Sequence, residues 1–210
     1  MSYQLIIGDK LYSSWSLRAA LALELARVPY TELLITLNQP DTRQRILAHS
    51  ATGKVPLLKS EHGTIADSLA IAEYLAERHP EANLWPSDIA ARAQARSACA
   101  QMHSGFFALR STMPMNLDHD QALESIPLEV QIDIGRIVAL WSECRLVAKT
   151  PGPYLFGELS LADAFFAPVA VRLRSYRVEL PAAAAAYVEA IYQWPAFQAW
   201  QQAALAERAS

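Results

Sequence analysis

The chain begins with short apolar runs alternating with longer periodic ones. Tyr3 to Gly8 is an apolar run that predicts a strand. Leu17, Ala20, Leu21, Leu25 and Val28 recur at helical spacing, predicting a helix from about Trp15 to Arg27 that Pro29 stops. Thr31 to Leu37 alternates and predicts a second strand, and Pro40 to Ala48 suits a short helix. Leu57 to Lys59 and Gly63 to Ala66 predict a hairpin across Ser60-Glu61-His62. Asp67 stands where it would cap a further helix with Ile71, Tyr74 and Leu75 on one face. Strand, helix, strand, then hairpin and helix predicts an α/β unit whose first two strands run parallel.

The pattern changes after residue 79. His79-Pro80-Glu81-Ala82-Asn83-Leu84-Trp85-Pro86 has two prolines and no period, so it reads as a linker. Beyond it every periodic segment is helical. One long helix is predicted from Ser87 to about Ser111, and a second from Leu128 to Lys149 with Val130, Ile134, Ile137, Val138 and Trp141 inward. Ser160 opens a third, with Phe165, Phe166, Val169 and Leu173 inward and Pro168 predicted to kink it. Ser160 and Asp163 have the spacing of a capping box. Two shorter helices follow, Ala182 to Tyr192 and Pro195 to Glu207. The expected organisation is an α/β unit over 1–79, a linker over 80–86 and an all-α unit over 87–210.

Composition narrows the function classes. Charged residues make up 19% and apolar ones 52% of the 210 residues, which fits a globular chain with a sizeable core. A net charge of −3 with no basic cluster argues against nucleic acid as a partner. No apolar run reaches the roughly 18 residues that a membrane span needs. Met1-Ser2-Tyr3-Gln4 lacks a secretory pattern, and the two isolated cysteines, Cys99 and Cys144, suit a reducing compartment. A cytoplasmic location is therefore expected. No metal site is expected, because the cysteines have no supporting cluster of ligands.

Candidate chemistry lies at the first strand-to-helix turn, Tyr12-Ser13-Ser14-Trp15-Ser16-Leu17-Arg18. Hydroxyls there sit beside the positive end of a helix dipole, which favours an anion, including a thiolate. A plain helix cap is the other reading of Ser13 or Ser14. Two further motifs follow: Gly53-Lys54-Val55-Pro56-Leu57-Leu58, then Thr64-Ile65-Ala66-Asp67-Ser68-Leu69-Ala70-Ile71. In order and spacing the three resemble the glutathione-site motifs of the cytosolic glutathione transferases. Phe156-Gly157-Glu158-Leu159-Ser160-Leu161-Ala162-Asp163 resembles that family's motif at the start of its sixth helix, so the resemblance covers nearly the whole chain.

The resemblance implies a thioredoxin-like N-terminal domain, an all-helical C-terminal domain, and glutathione as cosubstrate with no metal. It implies that Ser13, five residues before Arg18, donates to the glutathione sulfur, with Ser14 and Ser16 as neighbouring candidates. It implies a cis bond before Pro56, with Val55 backbone pairing the cysteinyl part of glutathione. Lys54 would meet the glycyl carboxylate, and Asp67 and Ser68 the γ-glutamyl end. The turn is similar to the Ser-Ser-Cys of the zeta class, which isomerises maleylacetoacetate, but Trp15 stands in the cysteine's place. Without that sulfur, disulfide exchange by the protein itself is not expected.

The second substrate is expected at Trp15 and along the long helix. There His103, Phe106, Phe107 and Arg110 fall near one stripe. Aromatics with one cation suit a planar electrophile bearing an acidic group, while helix-packing core is the competing reading. The resulting expectation is a homodimeric transferase that conjugates glutathione to an electrophile, as in detoxification. Its alternatives are a glutathione-dependent isomerase and a non-catalytic binding module of the same fold.

Overall fold

A computed structural model describes residues 3–209; Met1 and Ser2, part of the segment read for a secretory pattern, lie outside it. The chain runs β1 (Tyr3–Ile7), α1 (Ser14–Ala26), β2 (Tyr30–Leu34), α2 (Thr42–Leu47), β3 (Leu57–Ser60), β4 (Gly63–Ala66) and α3 (Ser68–Arg78). After a single 3-10 turn at Pro80–Ala82 come α4 (Ile89–Ser104), α5 (Phe107–Thr112), α6 (Leu128–Val147), α7 (Leu161–Ser175), α8 (Ala182–Tyr192) and α9 (Pro195–Ala209).

The four strands form one mixed sheet in the order β2-β1-β3-β4. β1 pairs β2 in parallel and β3 antiparallel, and β3 pairs β4 antiparallel. Central β1 is buried on both faces, which is why it reads as a continuous apolar run. Alternation divides its side chains: Leu5 and Ile7 join the main core with α1 and α3, and Ile6 packs with Ile35, Ile46 and Leu57 beneath α2. β2 is shorter than its sequence pattern predicts. Ile35 still gives its N–H to Ile7, but the Leu37 N–H bonds the Asp9 carboxylate and Asn38 turns into the left-handed region, so the chain leaves the sheet.

α1 packs between α3 and α7, and almost all its residues from Ser16 to Leu23 are buried. α7 is the buried axis of the helical part, and it runs through Pro168. Its N-terminus carries the predicted capping box: Asp163 Oδ2 accepts from the Ser160 N–H and hydroxyl, and Oδ1 accepts from the Leu155 N–H and the Tyr187 hydroxyl.

The long helix predicted over 87–111 is two helices. α4 ends at Ser104, Gly105 is extended, and Phe106 is left-handed with φ 55°. A Cβ on Gly105 would stand 2.8 Å from the Gln101 carbonyl oxygen, so glycine permits the tight exit. The break breaks the stripe too. Phe106 turns into the core at 3% exposure, where the Arg136 guanidinium lies 5.1 Å from its ring, while Phe107 stays 68% exposed.

Candidate glutathione site

A cleft of about 610 Å³ opens where the sheet unit meets the α4–α5 corner. One wall comes from the sheet unit: Thr52, Lys54, Val55 and Pro56 before β3, and Ala66, Asp67 and Ser68 at the start of α3. The opposite wall is His103, Phe107 and Arg110, and Trp15 from the first turn of α1 lies between them. The structure thus brings most of the sequence-derived candidates to one place. Thr52, which precedes the Gly53-Lys54 motif, and Ala66, which lies inside the next one, join them.

The sheet wall presents backbone and caps. The Val55–Pro56 bond is cis, as the resemblance implies. Asp67 has φ 83° and caps α3 by accepting the Leu69 N–H at 2.8 Å. Beside it the Ser68 hydroxyl is buried in the cleft wall and has no hydrogen-bond partner among the described residues. A buried hydroxyl left unpaired costs about 1–3 kcal/mol, so this oxygen invites a polar ligand group.

The serine turn is organised around the helix end. Ser13 is the N-cap of α1, accepting the Ser16 N–H at 3.3 Å, and its hydroxyl donates to Ser16 Oγ at 2.8 Å. Ser16 is fully buried and also accepts the Gly8 N–H at 3.0 Å, which makes it a support and removes it as the group facing a sulfur. Ser13 and Ser14 are 6% and 8% exposed, and neither lines the cleft wall that Trp15 does. Both readings of Ser13 therefore meet at one atom: the cap is present, and any donation outward requires its hydroxyl hydrogen to turn from Ser16.

Trp15 is set among cations. The guanidinium carbons of Arg18 and Arg110 lie 4.4 Å and 4.8 Å from its ring, and His103 meets it edge-on with centroids 5.1 Å apart. Arg18 is buried, gives Nε to the Phe165 carbonyl, and has Nη1 buried with no hydrogen-bond partner among the described residues. Burial, with Arg172 and Arg110 nearby, pulls its pKa down to about 9; burial and Arg110 pull Arg172 down to about 10. Arg172 also keeps a buried Nε with no hydrogen-bond partner among the described residues. The floor behind Trp15 is thus positive and favours an anion above it. Arg172 carries no signal in the sequence, because only the packing of α7 against α1 brings it here.

The substrate stripe needs one correction. Phe106 does not line the cleft; the left-handed turn places it in the core. His103, Phe107 and Arg110 remain in the wall. Arg110 gives Nη1 to the Gly105 carbonyl at 3.2 Å, and among the described residues it forms no ion pair with a carboxylate. The Asp163 carboxylate is already bonded at both oxygens at the start of α7. Among the described residues no group of three or more metal-ligating side chains occurs, and no helix is long and apolar enough to cross a membrane.

A mixed four-stranded sheet with a cis proline at the cleft, followed by a helical bundle, defines the glutathione transferase fold. The family profile "Glutathione S-transferase, N-terminal domain" matches residues 12–78. A zeta-class glutathione S-transferase from Euphorbia esula is 30% identical over 167 residues, covering 76% of this chain and 73% of the relative. A probable maleylacetoacetate isomerase from Caenorhabditis elegans is 28% identical over 176 residues, 81% of each chain. The solved holo structure of a bacterial maleyl pyruvate isomerase of the zeta class superposes with a TM-score of 0.74 at 24% identity, covering 96% of this chain and 97% of that one. The chain belongs to the glutathione transferase family, a family of enzymes.

Proposed function

We propose that the cleft binds glutathione and activates its thiol for attack on a small electrophile carrying a carboxylate. The observation that carries the glutathione half is the buried, unpartnered Ser68 hydroxyl beside Asp67 in the cleft wall. Asp67 and Ser68 take the γ-glutamyl end, the Val55 backbone pairs with the cysteinyl unit, and Lys54 meets the glycyl carboxylate. This pose directs the sulfur towards the N-terminus of α1. There the Ser13 hydroxyl turns from Ser16 to the sulfur, with Ser14 adjacent and the helix dipole behind. A free thiol titrates near 8.5, and one hydrogen bond from a hydroxyl to a charged acceptor contributes roughly 1.5–3 kcal/mol. At about 1.4 kcal/mol per pKa unit, that lowers the thiol pKa by about one to two units, and with the helix dipole added the thiolate becomes the major form near pH 7.

Trp15, Phe107 and Arg110 receive the electrophile, the arginine fork meeting its carboxylate. A second outcome for the same adduct is elimination of the thiolate after rotation about a carbon–carbon bond, which isomerises a cis alkene. The maleylacetoacetate isomerase named among the relatives favours this reading. We also take residues 1–79 as the glutathione-binding domain, 87–210 as the helical domain, and a cytoplasmic homodimer as the working assembly. Sedimentation showing a monomer at micromolar concentration overturns the dimer. Calorimetric titration with glutathione tests the site itself: saturable binding supports it, and no binding at millimolar glutathione ends both enzyme readings. A panel of carboxylated and neutral electrophiles, and of cis-alkene diacids, then separates conjugation from isomerisation.

A further inference from the structure

The two carboxylate oxygens of Asp67 have different neighbours. Oδ1 accepts the Leu69 N–H at 2.8 Å and so holds the side chain against α3. Oδ2 faces His103 Nε2 at 3.2 Å. His103 lies in the last turn of α4, so this contact spans the cleft from one wall to the other. The cap bond at Oδ1 fixes where Oδ2 points. A cation that approaches Asp67 from the cleft must therefore reach the oxygen on which the imidazole already rests.

The imidazole is weakly held there. Nε2 has Asp67, but Nδ1 is buried and has no hydrogen-bond partner among the described residues. Whichever tautomer is present, one ring nitrogen is desolvated and unsatisfied, which offsets part of what the Asp67 contact contributes. Trp15, edge-on at 5.1 Å, is the other ring packed against it.

We propose that His103 competes with the γ-glutamyl ammonium of glutathione for Asp67, so that glutathione binding moves the imidazole from the sheet wall towards Trp15 and the electrophile half of the cleft. His103 is then a positioning residue that sets glutathione affinity and couples the filling of one half of the cleft to the shape of the other. The inference rests on the glutathione reading above.

The test is calorimetric titration of the full-length wild-type chain, His103→Leu and His103→Gln. Each is titrated with glutathione and with the deamino analogue that lacks the ammonium. Loss of the competitor should tighten glutathione binding to His103→Leu by about two- to fivefold, the range of an exposed ion pair. Binding of the deamino analogue should not change. His103→Gln, which can still donate to Asp67, should stay near wild type for both ligands. Weaker glutathione binding by His103→Leu, or equal tightening for both ligands, overturns the proposal. If His103→Leu does not fold, the wild-type imidazole nitrogen resonances decide. A His103 shift with glutathione that the deamino analogue fails to produce supports the competition, and equal shifts with both end it. A wild-type chain that binds no glutathione overturns the site reading instead, whereas wild-type binding with no discrimination at His103 overturns only this inference.

Discussion

The two walls of the cleft are built from different materials. The sheet wall is made of backbone and caps: the cis Val55–Pro56 bond, the Asp67 cap of α3 and the buried Ser68 hydroxyl. Each of these is tied to its neighbours in the chain, so its geometry travels with a short motif. The helical wall is made of side chains, His103, Phe107 and Arg110, carried on either side of a break between α4 and α5. There the direction of Phe107 and Arg110 relative to His103 depends on one left-handed residue, Phe106. On the function proposed above, the first wall takes glutathione and the second takes the electrophile.

The largest effect expected on glutathione binding is on the sheet wall. Asp67→Ala removes both the α3 cap and the oxygen offered to the γ-glutamyl ammonium. A hydrogen bond to a charged group contributes roughly 1.5–3 kcal/mol, so glutathione affinity should fall about ten- to a hundredfold. Titration calorimetry reads this directly, and unchanged affinity would place glutathione elsewhere.

The helical wall is expected to separate stability from function within two adjacent residues. Phe106→Ala empties a core position and should cost about 3–5 kcal/mol in denaturant unfolding. Phe107→Ala should cost less than about 0.5 kcal/mol, as for an exposed site, while raising KM for the electrophile. If both destabilise alike, the α4–α5 break is not as described.

Ser13→Ala tests the boundary between the walls. Loss of the cap should cost about 1 kcal/mol of stability. Loss of the thiolate donor should lower kcat/KM by roughly ten- to a hundredfold with little change in glutathione affinity. Stability loss with full activity would assign Ser13 to the cap alone and pass the donor role to Ser14. Arg110→Lys is expected to be milder: weaker turnover of carboxylated electrophiles, neutral ones spared, and an unchanged melting temperature, because no protein carboxylate is lost. A general fall across all substrates together with lower melting would make Arg110 structural.

The smallest effect lies in the support beneath the helical wall. Burial pushes the Asp163 carboxyl up from 3.8 to about 6, against the opposing pull of its four hydrogen bonds. Between those values the folded chain holds a proton that the unfolded chain has released. Stability from this group therefore falls as pH rises from about 4 to 6. Asp163→Asn should be less stable throughout, since all four neighbours are donors, but its deficit should narrow as pH rises across that window. A widening deficit would mean that the hydrogen bonds outweigh burial.

Much of this was legible in the chain itself. The βαβ and ββα order, the Asp67 and Ser160–Asp163 caps and the extent of α6 through α9 follow from periodicity and local hydrogen bonding between residues a few positions apart. The serine turn was legible as a helix start, because Ser13, Ser16 and Gly8 are close in sequence. The continuous stripe from His103 to Arg110 was misread, because periodicity does not show where one residue turns left-handed; Gly105 was the available warning. The contacts that give the cleft its character are long-range. His103 on Asp67, Arg110 on Trp15, and Arg172 near Arg18 join residues tens of positions apart. Local pattern determined which elements form and where their ends are capped, since those free energies are settled within a turn or two of chain. Tertiary packing alone decided which side chains share the cleft, because that depends on how α1, α4 and α7 pack, and no local period encodes it.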